Sequence, residues 1–569
     1  DRISAVVKPG MSAADAQAAR NAAKAGVEKE SLEKTGLRSD VVTLYQGAQY
    51  HLYRYKRYTD VRLVFAPEEQ AAFFGGDPDN FEFPRFNLDF ALVRAYENGQ
   101  PAKVEHYLKW NAAGVAEGDL VFLAGHPGST QRLITVAEME FARDIQLPYN
   151  LRSLKSREVL LNSYSKAGPE NARRAQDPLR TIENSRKVYD GRMAGLLDPA
   201  ILGAKHAEEE ALKKFAADHP ELGAADAWDK IAEAQQVIAR SAVRAALLSG
   251  YNLSNAFSAQ PASKLLGLAR KLERAPAELA KPNGERLMEY RDSAKASFEL
   301  GAFSAEPIYD DLEQAELTHF LVFMAMELGA NDPAVRAAFA GQSPVERAAS
   351  LIAGTKLKDI AFRRQLYAMT PAQMAQVDDP LIAFVRVVDG DALAARRQIE
   401  QQNEIKEQAH ARIAKVRWAK DGDKLAPDAT FTLRLSYGAV KGFAIGGKTV
   451  PPFTQLGGIF DRAAEKENTP PFDLPASWPA HRAKLDLATP FNFVSTCYCI
   501  GGNSGSPTLN RAGEFVGIIF DGSIDTLAWN YGYSDVTARA VSCDVRAIVE
   551  AMRKIYGADA LVGELLGAK

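Results

Sequence analysis

The stretch Gly501-Gly502-Asn503-Ser504-Gly505-Ser506-Pro507 decides how the rest of the chain is read. An apolar segment, Phe491 to Val494, leads into it, and a hydrophobic strand pattern, Phe515-Val516-Gly517-Ile518-Ile519-Phe520, follows it. A serine flanked by glycines suits a nucleophile. Glycine tolerates a tight turn that aims backbone amides inward and leaves the hydroxyl exposed, and those amides can hold a developing oxyanion. The spacing makes Ser504 the candidate nucleophile and the N–H groups of Gly502 and Ser504 the candidate oxyanion donors. A glycine-rich hairpin turn that happens to contain serines reads the same locally, so the surrounding chain has to decide.

Working outward, the chain reads as strands, then helices, then strands. Residues 10–35 are rich in Ala, Lys, Glu and Asp and predict one surface helix. Alternating, β-branched and aromatic residues predict strands at 41–45, 49–55, 61–65, 91–96 and 120–124. From about 150 to 420 helical spacing dominates, as in 204–217, 228–248, 306–328 and 380–417. The strand pattern returns from Thr430, and 544–556 closes as a helix. The expected organisation is a first β-barrel part over 1–150, an α-helical lid over 151–425, and a second β-barrel with the nucleophile and a C-terminal helix over 426–569. A helical block between two β units predicts a lid over a site where they meet.

Composition narrows the function classes. The 569 residues carry 69 Lys plus Arg against 72 Asp plus Glu, a net charge of -3, which points to neither nucleic acid nor an anionic membrane as partner. No apolar run reaches the length of a membrane span. The chain opens Asp1-Arg2-Ile3 without a signal-peptide pattern; a mature chain begins like this, and so does a fragment cut inside a domain. Cys497, Cys499 and Cys543 are too few for a disulfide framework and read as small buried residues. No His/Cys/Asp cluster has ligand spacing, so neither metal nor cofactor is implied.

The motif from Gly501 to Pro507, with Phe493-Val494-Ser495-Thr496 before it and Phe520-Asp521-Gly522 after it, resembles serine-peptidase family forty-six, the bacterial dipeptidyl peptidases of types seven and eleven. Phe74-Gly75-Gly76-Asp77-Pro78-Asp79-Asn80-Phe81-Glu82-Phe83-Pro84-Arg85 running on to Asp89-Phe90, Tyr55 to Phe65, Gly125-His126-Pro127-Gly128-Ser129-Thr130, and Asn184 with Lys187 and Gly191 are similar to further motifs of that family. The resemblance implies an α+β protein, a chymotrypsin-like double β-barrel with a large inserted helical lid. It implies a serine exopeptidase that takes dipeptides from the free N-terminus of oligopeptides. It also implies a homodimer in the periplasm or at the cell surface. Ser504 matches the nucleophile and Asp89 the triad aspartate, while Asn80, the backbone of Phe81, and Asn184 match positions that hold the substrate's α-amino group. The family often has Trp where this chain has Phe81.

Two departures carry weight. The residue eighteen after the nucleophile, next to Asp521, discriminates the P1 side chain in the family, where arginine selects Asp or Glu. Here it is Gly522, an open and uncharged slot, which predicts hydrophobic P1 residues. The family's histidine lies in an Asn-His-His-Cys-like loop that this sequence lacks. Only His51 precedes Asp89, and it sits mid-strand. The sequence as given is therefore expected to be a poor catalyst, with the histidine on an earlier part of the parent chain. The competing expectation is a non-catalytic relative that binds peptide N-termini through Asn80 and Asn184 and has no general base.

Overall fold

In the computed structural model, which describes residues 1–8, 10–251 and 263–567, the chain forms two compact units. One comprises residues 1–56, 133–189 and 202–427; the other comprises 57–132, 190–201 and 428–569.

The first unit is built on helices. Its longest is Pro380–Asp421, which starts where Asp379 accepts hydrogen bonds from the N–H groups of Leu381 and Ile382 and where proline occupies the first helical position. Asp379 is fully buried and also accepts from the Thr355 hydroxyl at 3.0 Å and the Lys356 N–H at 2.8 Å, so one carboxylate caps the helix and ties down the preceding loop. Ala227–Ser249 packs along this helix. Ile238 and Ala245, one apolar stripe at helical spacing, meet Ala395 and Ile399 of the long helix. The expected N-terminal helix is Ala13–Thr35, capped by Ser12 and ended by Gly36 at φ 67. Its Arg20 makes a two-pronged pair with Glu404 of the long helix at 2.9 and 2.8 Å.

The second unit carries a seven-stranded, wholly antiparallel sheet. Its order is Phe453–Gln455, Pro490–Ser495, Ala540–Asp544, Phe515–Gly522, Pro507–Leu509, Leu120–Gly125, Arg434–Ala439. Leu120–Gly125 precedes the long helical stretch and Arg434–Ala439 follows it, yet they pair in register from Leu120↔Ala439 to Gly125↔Arg434. The terminal helix Val545–Lys554 is capped by Asp544 and buries Val545, Ala547, Ile548, Ala551 and Met552, one face in which Ala547 and Ala551 are four apart and Ile548 stands three after Val545 and four before Met552. That face joins Phe74, Leu88, Trp478 and Phe491 in the unit's main core.

The expected double β-barrel is not found: among the described residues no sheet closes. The strands expected before residue 150 form, but they divide. Arg38–Leu44 and Gln49–Tyr55 make a hairpin within the helical unit. Asp60–Phe65, Leu92–Glu97 and Gln100–Pro101 make a three-stranded sheet, and Leu120–Gly125 joins the seven-stranded one. Alternation marks a strand without naming its neighbour. At the hairpin, the Val41 N–H donates to the Glu28 carboxylate of the N-terminal helix at 2.9 Å, so a side chain takes a group that another strand would have taken.

Replacing Asp379 with alanine takes the acceptor from four donors, the N–H groups of Leu381 and Ile382 at the helix start, the Thr355 hydroxyl and the Lys356 N–H. Asp379→Ala is expected to lower the stability of the helical unit by about 2–4 kcal/mol, read as an earlier calorimetric transition. Asp379→Asn, which keeps an acceptor, should lose less.

Candidate active site

The turn that carries Ser504 connects the Pro490–Ser495 strand with Pro507–Leu509. Asn503 pins it from inside: its N–H donates to Ile500 O at 3.0 Å, and its side-chain oxygen accepts the Ile500 N–H at 3.1 Å. The Gly505 N–H donates to Ile519 O at 2.8 Å. Between these fixed amides, the N–H groups of Gly502 and Ser504 donate to no acceptor among the described residues. Gly502 sits at φ +103, and a Cβ there would lie 2.6 Å from His126 O and 2.7 Å from Gly128 N. Only glycine meets both the conformation and that approach. Ser504 is exposed, and its hydroxyl donates to Phe520 O at 3.4 Å, a long and weak bond. The turn thus presents a reachable hydroxyl beside two amides that have no acceptor among the described residues.

Phe520 O leads directly to Asp521, the hub of the site. Asp521 is buried; its Oδ2 accepts the Arg85 guanidinium at 2.5 Å and the Phe81 N–H at 3.0 Å. Arg85, 1% exposed, also donates to Asp79 O at 2.6 Å and to the Asn87 side chain at 3.0 Å. These bonds fold residues 79–89 against the end of the Phe515–Gly522 strand. Phe81 holds φ +61, a left-handed conformation that costs a non-glycine residue about 1–3 kcal/mol and persists where neighbours over-determine it. Its N–H bond to Asp521 is one such restraint.

Asp89 is fixed from the other side. Asn492, buried in the Pro490–Ser495 strand, accepts the Asn87 N–H and donates to Asn87 O, both at 2.8 Å. This two-way amide clamp holds the backbone two residues before Asp89. The Asp89 carboxylate keeps solvent access but is surrounded by enough protein for desolvation to push its pKa up to about 6. The nearby Arg85 charge opposes that rise, and the Asp521 carboxylate adds to it. Among the described residues no group donates a hydrogen bond to the Asp89 carboxylate, and no histidine bonds the Ser504 hydroxyl.

The remaining expected residues fall as follows. Asn80 is buried and ends the short helix Gly76–Asp79, its N–H donating to Gly76 O at 3.1 Å and Asp77 O at 3.2 Å. Gly522 closes the strand beside Asp521, but the slot beside it is not open. A Cβ at 522 would lie 2.5 Å from the Thr526 hydroxyl oxygen. Asn184 lies on the helix Pro169–Leu197, in the part that belongs to the helical unit. His51 is exposed on its strand in the same unit, and the His126 ring meets Phe431 edge-on at 6.1 Å. Among the described residues no group of three or more His, Cys, Asp or Glu is placed to hold a metal ion.

Sequence reading missed Asn492 and Thr526 and gave Arg85 no role. Asn492 had a visible signal, one amide inside the apolar run Phe491–Val494. Arg85 and Thr526 act through partners far along the chain or through packing, which spacing does not encode.

Two outcomes follow from this geometry. Asn492→Ala leaves both backbone groups of Asn87 unsatisfied, and is expected to cost about 2–4 kcal/mol in chemical denaturation while loosening Asp89. Asp89 gives a pH signature. Its folded pKa of about 6 lies above the unfolded value of about 3.9, so the folded state binds more protons between those limits. Stability from this group therefore falls as pH rises from about 4 to 6 and is level above that. Melting curves of Asp89→Asn against the parent should differ in slope across that window only.

Comparison with known proteins finds relatives along nearly the whole length of the chain. The Peptidase S46 family model matches residues 1–567. An Asp/Glu-specific dipeptidyl-peptidase of Shewanella putrefaciens is 30% identical over 576 residues, covering 93% of this chain and 77% of the relative. A dipeptidyl-peptidase 7 of Phocaeicola vulgatus is 25% identical over 568 residues, covering 94% of this chain and 76% of the relative. In fold, the chain is similar to the crystal structure of Porphyromonas endodontalis DPP11 in complex with the dipeptide Arg-Glu, with a TM-score of 0.76 at 22% identity over 95% of this chain and 79% of that one. The chain belongs to the Peptidase S46 family.

Proposed function

We propose that this protein is a serine exopeptidase that releases dipeptides from the free N-terminus of oligopeptides. The observation that carries the reading is the nucleophile turn, where an exposed Ser504 hydroxyl stands beside two amides, Gly502 and Ser504, that donate to nothing else among the described residues. In this scheme Ser504 Oγ attacks the carbonyl carbon of the second residue, and the two amides take the negative charge that develops on its oxygen. The hydroxyl proton passes to an imidazole oriented by the Asp89 carboxylate and then to the leaving amine. Water repeats the sequence on the acyl-enzyme and frees the dipeptide.

The ammonium group of the substrate is a donor only, so Asn80 and Phe81 must offer oxygens to it. The Phe81 N–H is committed to Asp521, and its carbonyl oxygen is the group left to accept. The part of Asn184 in gripping the same group rests on the family resemblance. So do two further proposals, a homodimer and a periplasmic or cell-surface location. The resemblance places the triad histidine in a motif that residues 1–569 do not contain, so those residues alone should turn over poorly. Losing one triad member can cost on the order of 10⁶ in turnover.

For P1 we propose hydrophobic side chains, because position 522 supplies no cation to pair with a carboxylate. The acidic alternative is favoured by one observation, the Asp/Glu specificity of the Shewanella putrefaciens relative.

Fluorogenic Xaa-Leu and Xaa-Asp reporters assayed with the natural full-length protein test both points. The expected result is release from free Xaa-Leu that disappears with Ser504→Ala and with N-blocked reporter. Preference for Xaa-Asp would move P1 to the acidic reading. A folded full-length protein that binds peptides with a free N-terminus and cleaves none would make it a peptide-binding relative without catalysis.

A further inference from the structure

The slot beside Gly522 is filled by another residue of the chain. Gly522 ends the strand that passes the nucleophile, two residues after the carbonyl that accepts the Ser504 hydroxyl. A Cβ at this position would meet Thr526 three times: its hydroxyl oxygen at 2.5 Å, its methyl at 3.1 Å and its Cβ at 3.2 Å. The first of these is closer than any real Cβ contact, and Thr526 cannot easily withdraw. It is 4% exposed, its N–H donates to Ser523 O at 2.8 Å, and its hydroxyl donates to the same oxygen at 2.7 Å. Ser523 is itself bonded in both directions to the Arg539 backbone, at 2.8 and 2.9 Å. The Arg539 side chain is 1% exposed and donates to the carbonyls of Lys441, Gly442, Asp535 and Ala538. Thr526 is therefore the outer end of an anchored stack.

We propose that Thr526 is a specificity-determining residue of this site: its side chain occupies the space that a longer residue 522 would need, and narrows the P1 slot against aromatic side chains while leaving room for smaller aliphatic ones. This rests on the exopeptidase reading. Two consequences follow. Because the single Thr526 hydroxyl proton is spent on Ser523 O, the wall offers a methyl and oxygen lone pairs and has no donor for a carboxylate. And Gly522 and Thr526 act as a pair, so an arginine at 522 reaches a P1 acid only when Thr526 is cut back.

The test uses binding of dipeptides, the expected products, because binding needs no turnover. The natural full-length protein and the variants Thr526→Gly, Thr526→Ser, Gly522→Arg and Gly522→Arg/Thr526→Gly are titrated calorimetrically with Gly-Ala, Gly-Phe and Gly-Asp. Thr526→Gly is expected to raise the Gly-Phe over Gly-Ala affinity ratio about tenfold, the scale of added space in an apolar pocket. Thr526→Ser keeps the hydroxyl bond, loses only the methyl, and should raise the ratio about threefold, which preserves the test if the glycine variant does not fold. Gly-Asp should bind the double variant at least about tenfold more tightly than Gly522→Arg. An unmoved ratio in both Thr526 variants, or equal Gly-Asp binding by Gly522→Arg and the double variant, overturns the proposal while leaving the exopeptidase reading in place. A parent protein that binds no dipeptide overturns both.

Discussion

The site depends on one buried ion pair, Arg85 with Asp521. Their side chains are 2% and 6% exposed and meet at 2.5 Å. Two charges taken out of water are tolerated only when their remaining groups are satisfied, and here they are. Asp521 also takes the Phe81 N–H, and Arg85 also serves Asp79 O and the Asn87 side chain while its guanidinium lies 5.5 Å from the Phe520 ring. Breaking such a pair from one side leaves an uncompensated buried charge, at about 3–5 kcal/mol. The pair joins residues 436 positions apart, and through it the chain before the helical stretch is held against the strand that follows the nucleophile.

From that pair the other features follow in order. Residues 79–89 are folded against the strand end, where the bond from the Phe81 N–H to Asp521 helps to hold Phe81 in its left-handed conformation. Asn492 clamps the same segment from the sheet and sets Asp89. Asp89 then feels Arg85 and Asp521 together, and desolvation outweighs the cation. The nucleophile turn needs little from this segment. Its geometry is local, fixed by Asn503, by the Gly505 bond to Ile519 O, and by the 126–128 turn behind Gly502.

That division explains what the sequence revealed. The tight conformation of the turn from Gly501 to Pro507 was legible because its glycines stand within one run of consecutive residues. The helices were legible for the same reason: 13–35, 227–249 and 380–421 show their period along a single stretch. The strands were legible as strands, but their partners were not, and an expected pair of barrels became an open seven-stranded sheet, a three-stranded sheet and hairpins. Gly522 was read as open space because a sequence shows a missing side chain and not what fills its place. Thr526 fills it from four residues further on, across a turn whose shape depends on Arg539.

The central claim is that Gly502 and Ser504 form an oxyanion site beside a nucleophilic Ser504. The most direct measurement is a crystal structure of the natural full-length protein with a dipeptide boronic acid that carries a free N-terminus. The account predicts a tetrahedral boron bonded to Ser504 Oγ, with one boronate oxygen about 2.7–3.1 Å from both the Gly502 and the Ser504 nitrogen. A boronate bound elsewhere, or bonded to Ser504 with its oxygens turned away from both amides, would contradict it.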